Sequence, residues 1–529
     1  MSQLQNLILT LSKASPQAVY TPKQLSDHEP KSIFDYLYIE TAIEKRYKEL
    51  LGEYRDSKVI IFLCGSSGDG KSAIIGQNQK YYGKYYDVHI DATHSFKPDQ
   101  SAVDALNEKF SSYKQGNKPL VVGINIGILL NFAREGSNEH EDICHAIRDY
   151  ISHGTSSHDV MFINFEDYSK FEMVHDHITS SFIHQLIDKV TAPIDSNPFY
   201  KTFQEDQHNS ILGTVHKNFQ LLQLEAIKNS IVELLVTVHL KYDQFLTTRS
   251  LLDFFYTLLA GPELLVHTLF DDTANAIIEN IRKEDPCLLR TTKLDTFILE
   301  RKSNKTDTEL NAFIDQFNAI FTVPILSLNN PHLLVRVFYL FRNDTYATNY
   351  HQQFKEEFQD QTTHDFIELL YAHEQYNEKP ILDFYDKLEK AILAYANKQL
   401  PTLSAEGLIT LSEINNYALC TSVEFDPDLE AIKRHTKHHI HSFPCYLQVN
   451  DQPLETIEIS LSMYKLIHAI NDGYRPNKHD RNTIVIFEEI LERIINFAKD
   501  TNKLIIVHNE QIYEFKDTAG KLKVKSHAR

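Results

Sequence analysis

Glycine and proline are scarce, 16 and 17 of 529 residues, which excludes a collagen-like or linker-dominated chain. Cysteine is scarcer. Cys64, Cys144, Cys287, Cys420 and Cys445 lie far apart, their number is odd, and no C-x-x-C pair occurs. A disulfide framework and a zinc ribbon are thereby excluded; no structural metal is expected, and a reducing cytoplasm is the expected setting. Long apolar runs are missing too. The most apolar stretch, Leu120 to Ala133, is interrupted by Asn125 and Asn131, and nothing reaches the roughly 20 residues of a membrane helix. The first residues lack a basic segment followed by a long apolar one, so no secretory signal is expected. Positive charge is in deficit: Lys+Arg 53 against Asp+Glu 72 gives −19. Such a field repels DNA and anionic membrane at long range, so nucleic acid is expected only through a local basic patch or a basic partner.

What is present reads as globular: 42% hydrophobic and 24% charged residues. At about 150 residues per domain this length predicts three or four domains. Residues 1–55 read as a helical lead-in, with Tyr36, Ile39, Ile43, Tyr47 and Leu50 at helical spacing. Residues 56–175 alternate strand and helix. Val59–Cys64, Val88–Asp91, Leu120–Asn125 and Val160–Asn164 are apolar runs of strand length. Helices are expected from Lys71, over Ala102–Tyr113 and over Asp142–Ser152. This order predicts an α/β fold, a parallel sheet with helices on both faces. A helical, lid-like region is expected over 176–300 and a mostly helical domain over 301–460, with a possible short strand at Thr322–Leu326. Residues 461–529 predict a long amphipathic helix, Ile484–Ala498, then a small antiparallel meander turning at Ala519-Gly520.

Residues 65–72 read Gly-Ser-Ser-Gly-Asp-Gly-Lys-Ser, a full match to G-x-x-x-x-G-K-[ST], the P-loop of nucleotide-binding NTPases. The chemistry sets the spacing. Gly65 lets the chain leave the strand sharply. Gly68 and Gly70 permit backbone conformations in which successive N–H groups turn inward around an anion. Lys71 opens the next helix, whose positive end also favours phosphate, and the Ser72 hydroxyl is placed for Mg²⁺. The expected ligands of Gly65, Ser66, Ser67, Gly68, Asp69, Gly70, Lys71 and Ser72 are therefore ATP and Mg²⁺. No N-K-x-D or T-K-x-D follows the fourth strand to read guanine.

Hydrolysis also needs a carboxylate on the metal and a group to orient water. The third strand ends in Asn125 where an Asp is expected, and the fourth in Asn164, followed by Glu166 and Asp167. Asn125 and Asn164 are candidate phosphate sensors, Glu166 a candidate base, and Asp91 a second magnesium candidate. Arg249 opens the helix after Thr247-Thr248 and is a candidate sensor of the terminal phosphate. Each has a plainer reading, as a cap, a solvated loop residue or a surface arginine. Slow turnover is expected.

The histidines number 26 and are densest in Lys433-Arg-His-Thr-Lys-His-His-Ile-His441. No second ligand pair stands at finger spacing, so this reads as a solvated basic loop. Two other basic spots, Arg475–Arg481 and the tail Lys521, Lys523, Lys525 and Arg529, read as solvated faces or as contacts for DNA or an acidic partner.

Phe62–Ser72 resembles the same segment of the DptF family of DNA phosphorothioation-dependent restriction proteins. Leu11–Val19, Gly123–Phe132 and Leu246–Phe254 fit the same resemblance. It covers the N-terminal half best. It implies a subunit of a bacterial anti-phage complex that attacks DNA lacking a sulfur-modified backbone, with DptG-like and DptH-like partners and DNA met through the complex. No nuclease residues carry over. The alternatives are a scaffold that nucleotide only locks, and an unrelated P-loop signalling ATPase.

Overall fold

The computed structural model describes residues 2–15, 33–92, 101–271, 275–303, 305–321, 324–327, 329–398, 401–415, 417–435, 439–476, 481–499, 503–508, 511–518 and 521–528. The chain divides into two compact units. Met1–Glu172 with Ser180–Gln359 form the first; Met173–Thr179 with Asp360–Arg529 form the second.

The first unit is built on a parallel sheet of β1 (Ile60–Cys64), β2 (Asp87–His89), β3 (Leu120–Ile124) and β4 (Val160–Asn164), in the order β2-β3-β1-β4. β1, β3 and β4 fall where the apolar runs predict them; β2 starts one residue earlier and stops at His89, so Asp91 lies beyond the strand rather than at its end. Both faces are covered, which is why β1 is apolar throughout. Ile60, Phe62 and Cys64 face one side, with Leu120, Val122 and Ile124. They pack there against helices Ala102–Gln115, Ile126–Glu135 and Glu141–His153. Val59, Ile61, Leu63, Val121 and Ile163 face the other side, against helices Ala42–Glu53 and Lys71–Tyr82. Phe62 stacks on Phe162 at 5.2 Å and meets Phe110 edge-on at 6.1 Å. Truncating such a buried ring to alanine costs about 3–5 kcal/mol.

The helical pattern from Tyr36 to Leu50 is split between two helices rather than carried by one run, and a further short helix, Gln3–Ile8, precedes them. Ile33–Leu37 ends before Tyr38, and Thr41 is extended at the start of Ala42–Glu53. Tyr38 hydrogen-bonds the buried Glu44 at 2.7 Å and holds the intervening bend. After β4 the first unit is helical, from Ser181–Thr191 through Glu225–Tyr242 and Thr248–Ala260 to Pro331–Leu340. The strand expected at 322–326 does not form over 324–326, and 322 and 323 lie outside the described residues. The Asn318 amide explains the difference. Its oxygen accepts from the Ile325 and Leu326 N–H groups, each at 2.8 Å, and its NH₂ donates to the Leu326 carbonyl at 2.9 Å. A side chain satisfies the backbone that a sheet neighbour would otherwise satisfy.

The second unit begins with a hairpin inserted from the first, β5 (Glu172–Val174) and β6 (His177–Thr179), whose latter strand packs on helix Gln361–Gln375. Helices Glu378–Ala396, Leu461–Asn471 and Arg481–Lys499 follow in this unit. Its other strands are β7 (Leu408–Ile414), β8 (Tyr417–Ser422), β9 (Phe425–Pro427), β10 (Ser442–Cys445), β11 (Leu447–Val449), β12 (Gln452–Pro453), β13 (Ile457–Ser460), β14 (Lys503–His508), β15 (Gln511–Thr518) and β16 (Lys521–Ala528). The expected meander is present as β14, β15 and β16. It is not a separate sheet: β14 also pairs with β8, giving five strands in the order β16-β15-β14-β8-β7. Ala519 and Gly520 lie outside the described residues.

Candidate functional site

The glycine-rich loop leaves the carboxyl end of β1, between β3 and β4. This is the edge of an open parallel sheet where ligands bind. Cys64 ends β1 fully buried, and burial pushes its thiol up to about 12, as a packing residue requires. Gly65 is needed by crowding: a Cβ there would lie 2.9 Å from the Phe165 ring and 3.0 Å from the Asp69 carboxylate. Gly68 and Gly70 are left-handed, at φ 89° and 110°. Gly70 is the cap from which helix Lys71–Tyr82 starts. The first-turn N–H groups of a helix have no intrahelical acceptors, so the loop and the helix start together offer backbone donors and a positive dipole end.

Lys71 turns back over the loop. Its ammonium donates to the Gly65 carbonyl at 3.0 Å and the Ser66 carbonyl at 2.7 Å. Burial pulls its pKa below the ordinary lysine value, opposed by the negative charge of Asp69 and Asp91. Ser72 is half-buried in the first turn. Asp91 follows β2 at the same edge, near enough to Lys71 to favour its charged form. It stays there because Ala92 donates to the Gly123 carbonyl at 2.9 Å. Gly123 itself admits no side chain: a Cβ would stand 2.3 Å from the Ile90 carbonyl oxygen.

The two asparagines are anchored differently. Asn125 is not the last strand residue; β3 stops at Ile124, and Asn125 caps helix Ile126–Glu135, accepting from the Gly127 N–H at 2.8 Å. Its oxygen is therefore committed to the backbone, and no carboxylate stands at this strand end. Asn164 ends β4 beside Cys64, buried, and accepts from the Glu166 N–H at 3.2 Å. Glu166 and Asp167 are exposed. Phe165, between them and Asn164, packs on Gly65 and so presses this turn against the loop.

Thr247, Thr248 and Arg249 sit on the loop as well. Thr247 caps helix Thr248–Ala260 in a reciprocal box with Ser250. The Arg249 N–H donates to the Gly68 carbonyl at 3.2 Å, and the Thr248 hydroxyl to the Asp69 carbonyl at 3.3 Å. A Cβ on Gly68 would stand 3.0 Å from that of Arg249. The helix start proposed from sequence as a sensor thus touches the loop, although nearly 180 residues separate them in the chain.

One member of the cluster, Lys170, has no signal in the sequence. Asp69 points beneath the loop, 4% exposed, and accepts from the Ser66 N–H at 2.7 Å. Its other oxygen lies 3.8 Å from the ammonium of Lys170. Burial raises the Asp69 carboxyl and lowers the Lys170 ammonium from their ordinary values; each group's charge opposes the shift of the other. Lys170 stands in the plain stretch Tyr168-Ser-Lys170, a hundred residues from the loop, and only the turn after β4 brings it there.

Among the described residues no group of three His, Cys, Asp or Glu is arranged to hold a metal ion. Residues 436–438 of the histidine-rich stretch, and Lys478 and Arg529 of the basic spots, lie outside the described residues. No described helix is long and apolar enough to cross a membrane. Comparison with family models, with curated proteins and with solved structures returns no match.

Proposed function

We propose that this chain binds ATP with Mg²⁺ at residues 65–72 and hydrolyses it slowly, as a cytoplasmic subunit of a bacterial DNA phosphorothioation-dependent restriction complex. The observation that carries the nucleotide reading is the loop itself. Two left-handed glycines at the carboxyl end of the central strand turn the Lys71 ammonium over the bend and start a helix there. The residues fit a triphosphate. Backbone N–H groups and Lys71 would hold the phosphates, and the Ser72 hydroxyl and Asp91 the magnesium, which would neutralise charge on the phosphate oxygens. Asn164, Glu166 and Arg249 surround this place as candidates for orienting water and sensing the terminal phosphate. The capped Asn125 supports a second reading, a scaffold that nucleotide locks but does not drive, because no carboxylate stands at the end of β3.

Membership of the complex is supported by the resemblance of Phe62–Ser72, Gly123–Phe132 and Leu246–Phe254, and the net charge of −19 agrees with DNA contact through partners. Calorimetry on Lys71→Ala tests the nucleotide reading. Removing one preorganised charge weakens ATP binding by about 2–4 kcal/mol, with circular dichroism unchanged; unaltered affinity overturns the assignment. Co-purification of the tagged chain with DptG-like and DptH-like proteins tests the second part, and a chain that recovers neither overturns it.

A further inference from the structure

β16 has a neighbour on one side only among the described residues; β15 pairs with it and nothing pairs with its other edge. It runs for 8 residues, and Lys521 to Ser526 are all exposed. An edge of this length offers a row of backbone donors and acceptors to another extended chain.

The two faces of this edge differ in chemistry. Alternation along a strand puts Lys521, Lys523 and Lys525 on one face and Leu522 and Val524 on the other. The register sets Lys523 directly opposite Lys516 of β15, and Lys525 opposite Glu514. Like charges directly opposite destabilise a sheet, and here they persist in a chain of net charge −19. On the opposite face Val524 stands across from Phe515, which stands across from Leu504 of β14. Leu522, Val524 and Leu504 are 66%, 54% and 41% exposed. This apolar row runs to the open edge and is most exposed there; Phe515, in its middle, is half-buried.

We propose that β16 is a docking edge for an extended segment of a partner protein in which acidic and apolar residues alternate. The segment would add a sixth strand. Its acidic side chains would lie beside Lys521, Lys523 and Lys525 and offset the repulsion between Lys523 and Lys516; its apolar side chains would extend the row Leu504, Phe515, Val524. The backbone edge, the lysine face and the apolar face each call for one property of the same ligand. A second copy of β16 fits poorly, since it would bring lysines against lysines. Duplex DNA would use the lysines alone and leave the edge and the apolar face unmatched. The inference stands independently of the nucleotide loop.

The test uses the full chain and two labelled, end-blocked peptides of eight residues, one alternating valine with glutamate, the other valine with lysine. Fluorescence anisotropy is expected to show saturable binding of the glutamate peptide and about tenfold weaker binding of the lysine peptide. In Lys521→Glu/Lys523→Glu the preference reverses, a gain that unfolding cannot produce. Failure of the glutamate peptide to bind overturns the proposal and leaves the lysines as guards of the edge against aggregation. Binding that the double variant does not alter overturns it too. Tighter binding of a short duplex DNA through the same lysines overturns it in favour of nucleic acid. Dimerisation of the chain alone, lost in the double variant, overturns it in favour of self-pairing.

Discussion

Replacing Lys170 by methionine leaves Asp69 buried beneath the loop with its Ser66 hydrogen bond and, of the two ammonium groups that act on it, only that of Lys71. At 3.8 Å and an effective dielectric of about 20, the pair attracts with about 4 kcal/mol before desolvation. Removing one partner of a buried pair typically costs about 3–5 kcal/mol. Lys170 is itself desolvated, and its removal relieves that penalty, so the lower end, about 3 kcal/mol, is expected. Since about 1.4 kcal/mol is tenfold, amide exchange in the loop and at the end of β1 should quicken by roughly two orders of magnitude, read by mass spectrometry. The pH dependence is diagnostic. Burial holds the Asp69 carboxyl above its usual value of 3.8, so the folded chain binds this proton more tightly than the unfolded one. Stability is then lost as pH rises from the unfolded value through the raised folded value. Without Lys170 that loss deepens; the deficit of Lys170→Met is full at neutral pH and shrinks in acid, as Asp69 takes its proton. Adding Asp69→Asn keeps an acceptor for the Ser66 N–H without the charge and should restore most of the protection. Unchanged exchange in Lys170→Met at neutral pH, or a double variant no better protected than the single one, refutes the argument.

Burial lowers the Lys71 ammonium and a bound triphosphate draws its proton back, so ATP binding should take up protons. Its affinity should fall as pH climbs toward the ordinary lysine value of 10.5; calorimetry in buffers of different ionisation heat measures the uptake, and none at any pH refutes it. The capped Asn125 predicts slow turnover by the isolated chain, and a phosphate-release rate above about 10 s⁻¹, the enzyme median, contradicts it. Gly68→Ala should destabilise the loop by about 1–3 kcal/mol, because alanine resists φ 89° and its Cβ crowds Arg249. Exchange in both the loop and the start of helix Thr248–Ala260 should quicken, and protection unchanged at the helix start refutes the contact.

The local order of the first unit was legible in the sequence. A strand buried on both faces must be apolar at consecutive positions, so Val59–Cys64 announced itself, and Gly65, Gly68, Gly70 and Lys71 carried their backbone and charge requirements in their identities. The start of a helix after Thr247-Thr248 was legible too, but that Thr247 caps it came from the structure. What the tertiary structure decided were the meetings of distant segments. No pattern marks Lys170 as the partner of Asp69, because a single ion pair leaves no periodicity; the turn after β4 makes it. Nor could spacing reveal that Asn318 satisfies the backbone at 325–326, or that Met173–Thr179 belongs with the second unit. The C-terminal meander was visible as alternation. Its union with β8, about 90 residues earlier, and the open lysine edge that this order leaves at β16 follow from strand pairing. Alternation fixes only which face a side chain takes, never which strand lies beside it.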